Sequence, residues 1–275
     1  MKAAYEICPR RCEIEEGALG FCRARTNRSG AVVCENYARV TSIALDPIEK
    51  KPLRRFYPGS SILSVGSYGC NMNCAFCQNS DISMARADYV RWQEILPEAL
   101  VSRAEALRPS GNIGLAFTYN EPLIGYEYVL DCAKLAKQRG LAVVLVTNGM
   151  INSDPWTKLL PYADAANIDL KAFTREGYRT LGGDLDAVLE AISIASERIH
   201  VEVTTLIVPG LNDDEETMRR EAVWLAGESR QIALHISRFF PRYRMQGVEP
   251  TPPETILRLA NIAREFLPYV YEGNL

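Results

Sequence analysis

The feature that most constrains the fold of this chain is a regular alternation that begins near residue 61. From there, short runs of Val, Ile, Leu and Ala alternate with longer stretches in which apolar residues recur at helical spacing. Such an alternation is typical of a parallel sheet, because a chain that leaves one parallel strand needs a crossover, usually a helix, before it can form the next. The runs predict six strands, at residues 62–65, 113–117, 142–146, 166–170, 201–208 and 232–236.

The stretches between the strands predict four helices, at residues 92–107, 126–140, 184–198 and 214–229. Six parallel strands with crossover helices favour an α/β fold built as a partial (β/α)6 barrel, similar to an incomplete TIM barrel. A flat doubly wound sheet fits the same pattern, because periodicity carries no information on curvature.

Residues 1–58 do not follow this alternation. They hold four cysteines within the first 34 residues and then a loop-rich passage, "DPIEKKPLRRFYPGS". We therefore expect a small cysteine-containing N-terminal module at 1–58, packed on a core domain at 59–275.

The composition of the 275 residues limits the cellular setting. The longest apolar runs, such as 141–146, fall far short of the roughly 20 residues that cross a membrane, and the N-terminus lacks an apolar secretory segment. We expect a cytoplasmic protein without a membrane partner. A net charge of -3 gives no general attraction to nucleic acids, so the basic clusters at 50–55 and 238–244 are expected to be solvated faces or local anion contacts.

Three cysteines, Cys70, Cys74 and Cys77, lie in C-x3-C-x2-C spacing directly after the first predicted strand. In a reducing compartment, clustered cysteines are more typical of metal or catalytic sites than of disulfides. Three thiolates on one loop can bind one face of a 4Fe-4S cluster, whereas a structural zinc site normally needs four ligands, and no histidine or fourth cysteine lies near this loop. Three protein ligands would leave one iron free to bind a substrate or cofactor.

This motif, with Phe76 directly before the last cysteine, resembles that of the radical S-adenosylmethionine (SAM) superfamily. The resemblance implies a partial barrel of the radical SAM type. It also implies that the open iron chelates the amino and carboxylate groups of SAM. One electron from the cluster would then cleave the sulfonium to methionine and a 5'-deoxyadenosyl radical, an oxygen-sensitive, oxidoreductase-type chemistry that needs anaerobic conditions. Phe76 would pack near the adenine.

Further motifs follow the later strands. "TYNEP" (118–122) stands where the superfamily has Gly-Gly-Glu-Pro, with two glycines replaced. "TNG" (147–149) and "NIDLK" (167–171) resemble segments of the pyruvate formate-lyase activating enzymes, and "HISRF" follows the sixth strand. The candidates for cofactor contact are Phe76, Tyr119, Asn120, Glu121, Thr147, Asn148, Asp169, Lys171, His235 and Arg238.

Two of these candidate groups carry a chemical argument of their own. Asp169 and Lys171 should share one side of a strand, where they could meet the polar groups of a zwitterionic cofactor or form a buried structural ion pair. Arg238 could bind a carboxylate through two parallel hydrogen bonds.

The strings "CPRRC", "GFC", "LDPIEKKPL", "GCNMNCAFCQN", "TYNEP", "DLKAF" and "SRF" together resemble the AmmeMemoRadiSam-system radical SAM enzymes over nearly the whole chain. These are relatives of the pyruvate formate-lyase activating enzymes. The resemblance implies SAM, an electron donor such as flavodoxin or ferredoxin, and Memo-like and AMMECR1-like proteins or another protein substrate as partners. It implies no particular substrate.

A second group of cysteines, Cys8, Cys12, Cys22 and Cys34, has the spacing C-x3-C-x9-C-x11-C. Such a set could bind zinc or a second iron-sulfur cluster and stabilise a segment with little core of its own. Reduced, unligated thiols fit the pattern equally well. Members of the resembled family often carry another cysteine before "CPxxC", a position that Tyr5 occupies here.

The sequence supports three functions. The first is a radical SAM enzyme that abstracts hydrogen from an unidentified substrate. The second is an activating enzyme that installs a glycyl radical on a pyruvate formate-lyase-like partner; residues 78–112 lack cysteine, which excludes activators with a ferredoxin-like insert. The third, of another class, is an iron-sulfur electron-transfer or sensing module.

Overall fold

The computed structural model describes residues 2–275. Its strands are β1 (Ala3–Ala4), β2 (Glu13–Ile14), β3 (Arg25–Arg28), β4 (Ala31–Cys34), β5 (Arg39–Val40), β6 (Ser42–Pro47), β7 (Ser61–Gly66), β8 (Gln93–Glu94), β9 (Asn112–Phe117), β10 (Ala142–Thr147), β11 (Ala165–Asp169), β12 (His200–Ile207), β13 (Ala233–Arg238) and β14 (Val270–Gly273). Its α-helices are α1 (Ser80–Ser83), α2 (Pro97–Ala106), α3 (Tyr126–Gln138), α4 (Ser153–Leu159), α5 (Arg175–Thr180), α6 (Leu185–Ser196), α7 (Glu215–Glu228) and α8 (Pro253–Arg264).

The central sheet has eight strands in the order β6-β7-β9-β10-β11-β12-β13-β14. From β7 onward all neighbours are parallel, and β6 pairs antiparallel with β7. The order follows the chain without reversing, whereas a doubly wound sheet reverses its strand order at a switch point. The crossovers therefore cover one face, and the predicted partial barrel is confirmed, with β6 and β14 as its edges.

All six predicted strands are present, as β7, β9, β10, β11, β12 and β13. The four predicted helices are α2, α3, α6 and α7, but the first begins five residues later than expected. Residues 93–94 pair with β5 instead, and Pro97 stands in the first turn, where a missing N–H costs nothing. No pattern in the sequence predicted β6, β14, α4, α5 and α8, or the short elements β1–β5, β8 and α1.

The segment between β6 and β7 closes the barrel at the amino ends of its strands. Its apolar side chains Ile48, Leu53 and Phe56 pack with Ile62, Ala116, Val144 and Ala165. Asn167 donates to the carbonyl of Pro52 at 2.9 Å, and the Glu202 carboxylate accepts from the backbone N–H groups of Arg54 and Arg55 at 3.0 and 2.8 Å. We call residues 48–56 the plug. The sequence predicts a solvated face or a local anion contact at residues 50–55. Lys51, 2% exposed, is not solvated, and its ammonium lies 2.9 Å from the Asp46 carboxylate.

The N-terminal residues lie against the opposite, carboxyl ends of the strands. The backbone N–H of Asn152, after β10, donates to Ile7 at 2.9 Å, and that of Cys70, after β7, donates to Cys22 at 3.2 Å. The boundary expected at residue 58 falls between the paired strands β6 and β7, so a boundary near residue 41 would keep the sheet whole. The division into two domains stays a prediction.

Within residues 2–275, no helix combines the length and the apolar character that crossing a membrane requires.

Candidate active site

The three-cysteine motif lies on the loop that follows β7, at the carboxyl end of the sheet. Cys74 is buried, and Cys70 and Cys77 are half-buried. The loop is held by backbone hydrogen bonds, from Cys77 to Cys74 at 3.2 Å and from Asn73 to Leu181 at 2.8 Å. Phe76, 6% exposed, packs in the main core beside them. A rigid loop therefore presents three thiols at the end of the barrel where (β/α) folds place their chemistry.

The sulfur of Cys70 accepts two N–H groups. The backbone of Met72 donates to it at 3.4 Å and the side-chain amide of Asn148 at 3.6 Å. Burial raises the pKa of the Cys70 thiol, and burial raises that of Cys74 to about 11 although the Lys171 ammonium lowers it. A metal must displace these protons on binding, and the two N–H donors would then stabilise the thiolate.

The donor set fits an iron-sulfur cluster better than a single ion. Three soft sulfurs share one loop, and in residues 2–275 no three Cys, His, Asp or Glu side chains converge on one ion position. A cubane offers a different iron to each thiolate, so its ligands need not converge. Cys70, Cys74 and Cys77 are therefore the residues that would hold such a cluster.

Glu121 joins the loops that follow β9 and β10. Its carboxylate accepts from the Thr147 hydroxyl at 2.7 Å and from the backbone N–H groups of Asn148 and Leu123 at 2.7 and 2.9 Å. Burial raises its pKa to about 7, against the opposing effect of these donors. Both oxygens are engaged within the protein, so Glu121 acts by positioning Asn148.

Tyr119 and Asn120 hold the backbone of the "TYNEP" segment. Tyr119 has φ +72°, a conformation suited to glycine, which the resembled motif has at this position. Its ring packs where a side chain at Gly66 would otherwise lie, and its hydroxyl donates to Asp46 at 2.8 Å. Asn120 accepts from the backbone of Ser67 at 2.9 Å and donates to two carbonyls of the same loop at 3.2 Å. The glycine-like turn thus survives both replacements.

Asp169 and Lys171 form an ion pair of 2.8 Å at the end of β11. Burial alone would lower the pKa of Lys171, but the charges of Asp169 and Cys74 raise it above its usual value, so the amine stays protonated. The Asp169 side chain is 33% exposed. The pair therefore opens toward the mouth of the barrel, unlike a fully buried structural pair.

The mouth is open above the ion pair. Inward-facing residues near the carboxyl ends of four strands are partly exposed: Val146, Asp169, Leu206 and Ser237. The inward-facing residues one layer deeper are buried: Val144, Asn167, Thr204 and His235. The interior of the barrel is therefore accessible at the face that carries the cysteines and buried below it.

Arg238 lies at the carboxyl end of β13 and is half-buried, whereas His235 lies deeper in the same strand and is buried. Arg238 donates through Nε to the carbonyl of Thr251 at 2.6 Å, and its two terminal nitrogens have no hydrogen-bond partner among residues 2–275. They remain available for a carboxylate. His235 is buried in the layer below, with Nε2 2.6 Å from Glu202 and its ring 5.3 Å from that of Tyr271. The structure thus links Glu121, Thr147 and Asn148 to Cys70 and sets the Asp169–Lys171 pair beside Cys74. The Tyr119 hydroxyl, which faces Asp46, and His235 lie apart from this group.

Sequence reasoning missed Asn71 and Arg10. Asn71 lies between the first two cysteines, accepts from the Asn148 side chain at 2.9 Å and donates to the carbonyl of Met150 at 2.7 Å. Arg10 donates to the carbonyl of Asn71 at 2.9 Å. Arg10 lies in the "CPRRC" string and Asn71 in the "GCNMNCAFCQN" string, but only the fold shows that they meet.

The N-terminal cysteines lie beside the same loop. Burial raises the pKa of Cys22, and the thiols of Cys8 and Cys12 are close enough to raise it further. Cys34 instead donates to the Asn36 side chain at 3.1 Å. Since no three of these groups converge on one ion position within 2–275, the zinc or second-cluster interpretation stays a prediction.

Comparisons with known proteins agree with this geometry. The family model of the radical SAM superfamily matches residues 64–222. An uncharacterized protein of Methanocaldococcus jannaschii is 40% identical over 277 residues, covering 100% of this chain and 82% of its own length. The pyruvate formate-lyase 1-activating enzyme of Escherichia coli strain K12 is 26% identical over 218 residues, covering 72% of this chain and 86% of its own length.

A solved structure shows the same fold. QueE from Escherichia coli matches with a TM-score of 0.55 at 13% identity, covering 86% of this chain and 94% of its own. The family model spans more than half of the chain, including the whole cysteine loop. The protein therefore belongs to the radical SAM superfamily and is an enzyme related to the pyruvate formate-lyase activating enzymes.

Proposed function

We propose that Cys70, Cys74 and Cys77 bind a 4Fe-4S cluster whose open iron takes SAM, and that the enzyme abstracts hydrogen from a substrate held in the barrel mouth. The cluster, when bound and reduced by a donor such as flavodoxin or ferredoxin, supplies the one electron that splits SAM into methionine and the 5'-deoxyadenosyl radical. The observation that carries the proposal is the placement of three thiols, two N–H donors to sulfur and the Lys171 ammonium at one end of the barrel.

Different polar residues at the carboxyl end of the barrel are suited to different groups of SAM. Lys171 and the free nitrogens of Arg238 are suited to carboxylate groups, and Asp169 to an ammonium or a ribose hydroxyl. Glu121 holds the loop that follows β10, and Asn120 holds the cysteine loop that follows β7.

The test is anaerobic reconstitution with iron and sulfide, reduction with dithionite, and assay of 5'-deoxyadenosine. The wild type should retain iron and release 5'-deoxyadenosine, and Cys74→Ala should do neither. Cys132→Ala is the matched control, because it removes a fully buried thiol in α3. Cluster-loaded protein that binds SAM but never cleaves it would favour the electron-transfer or sensing function.

Glycyl-radical activation is the second candidate. The similarity to pyruvate formate-lyase 1-activating enzyme over 72% of the chain favours it, and it would make the substrate a protein. Incubation with a pyruvate formate-lyase-like partner should then give a glycyl-radical signal in electron paramagnetic resonance. Memo-like and AMMECR1-like proteins are the further candidate partners, to be tested by the same incubation.

The metal content of the N-terminal module needs its own measurement. If Cys8, Cys12, Cys22 and Cys34 bind zinc or a second cluster, Cys8→Ala should lower the metal content while 5'-deoxyadenosine is still formed. Unchanged zinc and iron would favour reduced, unligated thiols.

A further inference from the structure

An arginine of the N-terminal module reaches into the cysteine loop. Arg10 donates through Nε to the carbonyl of Asn71 at 2.9 Å and through Nη2 to the carbonyl of Gly182, between α5 and α6. Its guanidinium carbon lies 3.5 Å from the ring centroid of Phe21, so stacking fixes the plane of the group. Arg10 thus joins the cysteine loop to a neighbouring loop of the barrel.

The contact continues to the sulfur of Cys70. The Asn71 side chain accepts from Asn148 at 2.9 Å, and the same Asn148 amide lies 3.6 Å from Cys70 Sγ. The Met72 backbone N–H, one residue beyond the carbonyl that Arg10 holds, donates to Sγ at 3.4 Å. Both N–H donors to this sulfur therefore depend on where Asn71 lies.

The module also holds the other side of Cys70. The Cys22 carbonyl accepts from the Cys70 N–H at 3.2 Å. It approaches Gly69, with φ +88°, so closely that a Cβ there would clash with it. The first cluster cysteine thus sits between two contacts from the module.

We infer that the N-terminal module, through Arg10, sets the reduction potential of the cluster by holding two N–H donors on Cys70 Sγ. Arg10 is a positioning residue, and the inference rests on the proposed function because it requires a cluster. Hydrogen bonds to ligand sulfurs tune the reduction potential of an iron-sulfur cluster. They stabilise the reduced state, which carries more negative charge, and so raise the potential. Loss of these donors should make the cluster harder to reduce.

The test is a redox titration of reconstituted protein followed by electron paramagnetic resonance, with iron content measured alongside. Arg10→Ala should shift the midpoint potential to a more negative value. Arg10→Lys keeps the charge but loses the planar pair of donor nitrogens and the stacking on Phe21, so it should shift in the same direction. Arg11→Ala removes an exposed arginine of the same module and should match the wild type.

A double-mutant cycle tests the route through Asn148. If Arg10 acts by orienting that amide, Asn148→Ala should shift the potential, and adding Arg10→Lys should add little. A wild-type potential in Arg10→Lys, equal shifts in Arg10→Ala and Arg11→Ala, or additive shifts in the double variant would each overturn the inference. A wild type that binds cluster and forms 5'-deoxyadenosine while Arg10→Ala shows no shift overturns the inference alone; a wild type without cluster overturns both proposals.

Discussion

At the scale of single residues, the interior of the barrel contains a charged side chain, Glu202, whose two carboxylate oxygens both have hydrogen-bond partners. Glu202 is fully buried and lies 2.9 Å from His200 Nε2 and 2.6 Å from His235 Nε2, besides its two bonds from the plug. Removing one member of such a network leaves buried polar groups unpaired, which costs more than the network itself contributes. The charge of Glu202 therefore bears on stability, at the end of the barrel away from the cysteines.

The Glu202 network predicts acid sensitivity. Burial would raise its pKa, but the hydrogen bonds from His200 and His235 lower it from 4.5 to about 2. A carboxylate with a lowered pKa in the folded state stabilises the protein above about 4.5, and this contribution disappears as the pH falls toward 2. Glu202→Gln should lower the free energy of unfolding at pH 7 by about 2–4 kcal/mol and flatten its pH dependence below 4.5. Urea unfolding from pH 3 to 7 measures both; an unchanged slope would contradict this role.

At the scale of elements, turns and helix faces impose conditions that periodicity does not express. The cysteine loop requires glycine at residue 69, both for its left-handed backbone and for the approach of Cys22. The face of α7 against β12 contains a buried carboxylate, Glu221, whose hydrogen-bond partner is Thr205. Gly69 allows the cysteine loop to form, whereas burial of the Glu221 carboxylate opposes stability.

Gly69→Ala should disrupt the cysteine loop. The change adds both backbone strain and a clash with the Cys22 carbonyl, so we expect a loss of about 2–4 kcal/mol and of iron binding. Gly59→Ala is the control, because it has φ +82° but open space around the added Cβ, and should cost only about 1 kcal/mol. Thermal unfolding and iron content distinguish the two; equal effects would show that strain alone matters.

Glu221 should make the protein less stable as the pH rises toward 8. Burial raises its pKa from 4.5 to about 8, with only the Thr205 hydrogen bond opposing. A carboxyl with a raised pKa in the folded state contributes its stability below about 4.5 and loses it as the pH rises through about 8. Glu221→Gln should therefore gain stability relative to the wild type as the pH rises from 5 to 8. Chemical unfolding at several pH values checks this, and a constant difference would refute it.

At the scale of the whole molecule, different parts of the chain lie at the two ends of the barrel. The plug fills the amino end with apolar side chains, and an earlier part of the chain, which includes Ile7 and Cys22, lies at the carboxyl end. Stability and chemistry are thus separated along the barrel axis, as in closed (β/α) barrels.

The plug should be essential for stability. Leu53 is fully buried in it, so Leu53→Ala should lower the free energy of unfolding by about 2–5 kcal/mol. Tyr57→Ala, at a neighbouring residue that is 62% exposed, should change it by less than about 1 kcal/mol. Denaturant titration measures both; similar losses would mean that the plug contributes little to the core.

The sequence by itself determined the six parallel strands, four of the crossover helices and the three-thiol loop, because strand period, helix period and cysteine spacing are local properties of the chain. Tertiary structure alone decided which polar groups of distant segments meet. Arg10 contacts Asn71, 61 residues away, His235 pairs with Glu202 on another strand, and Tyr119 turns toward Asp46. Each of these contacts depends on where distant segments lie in the fold, and no local pattern records that.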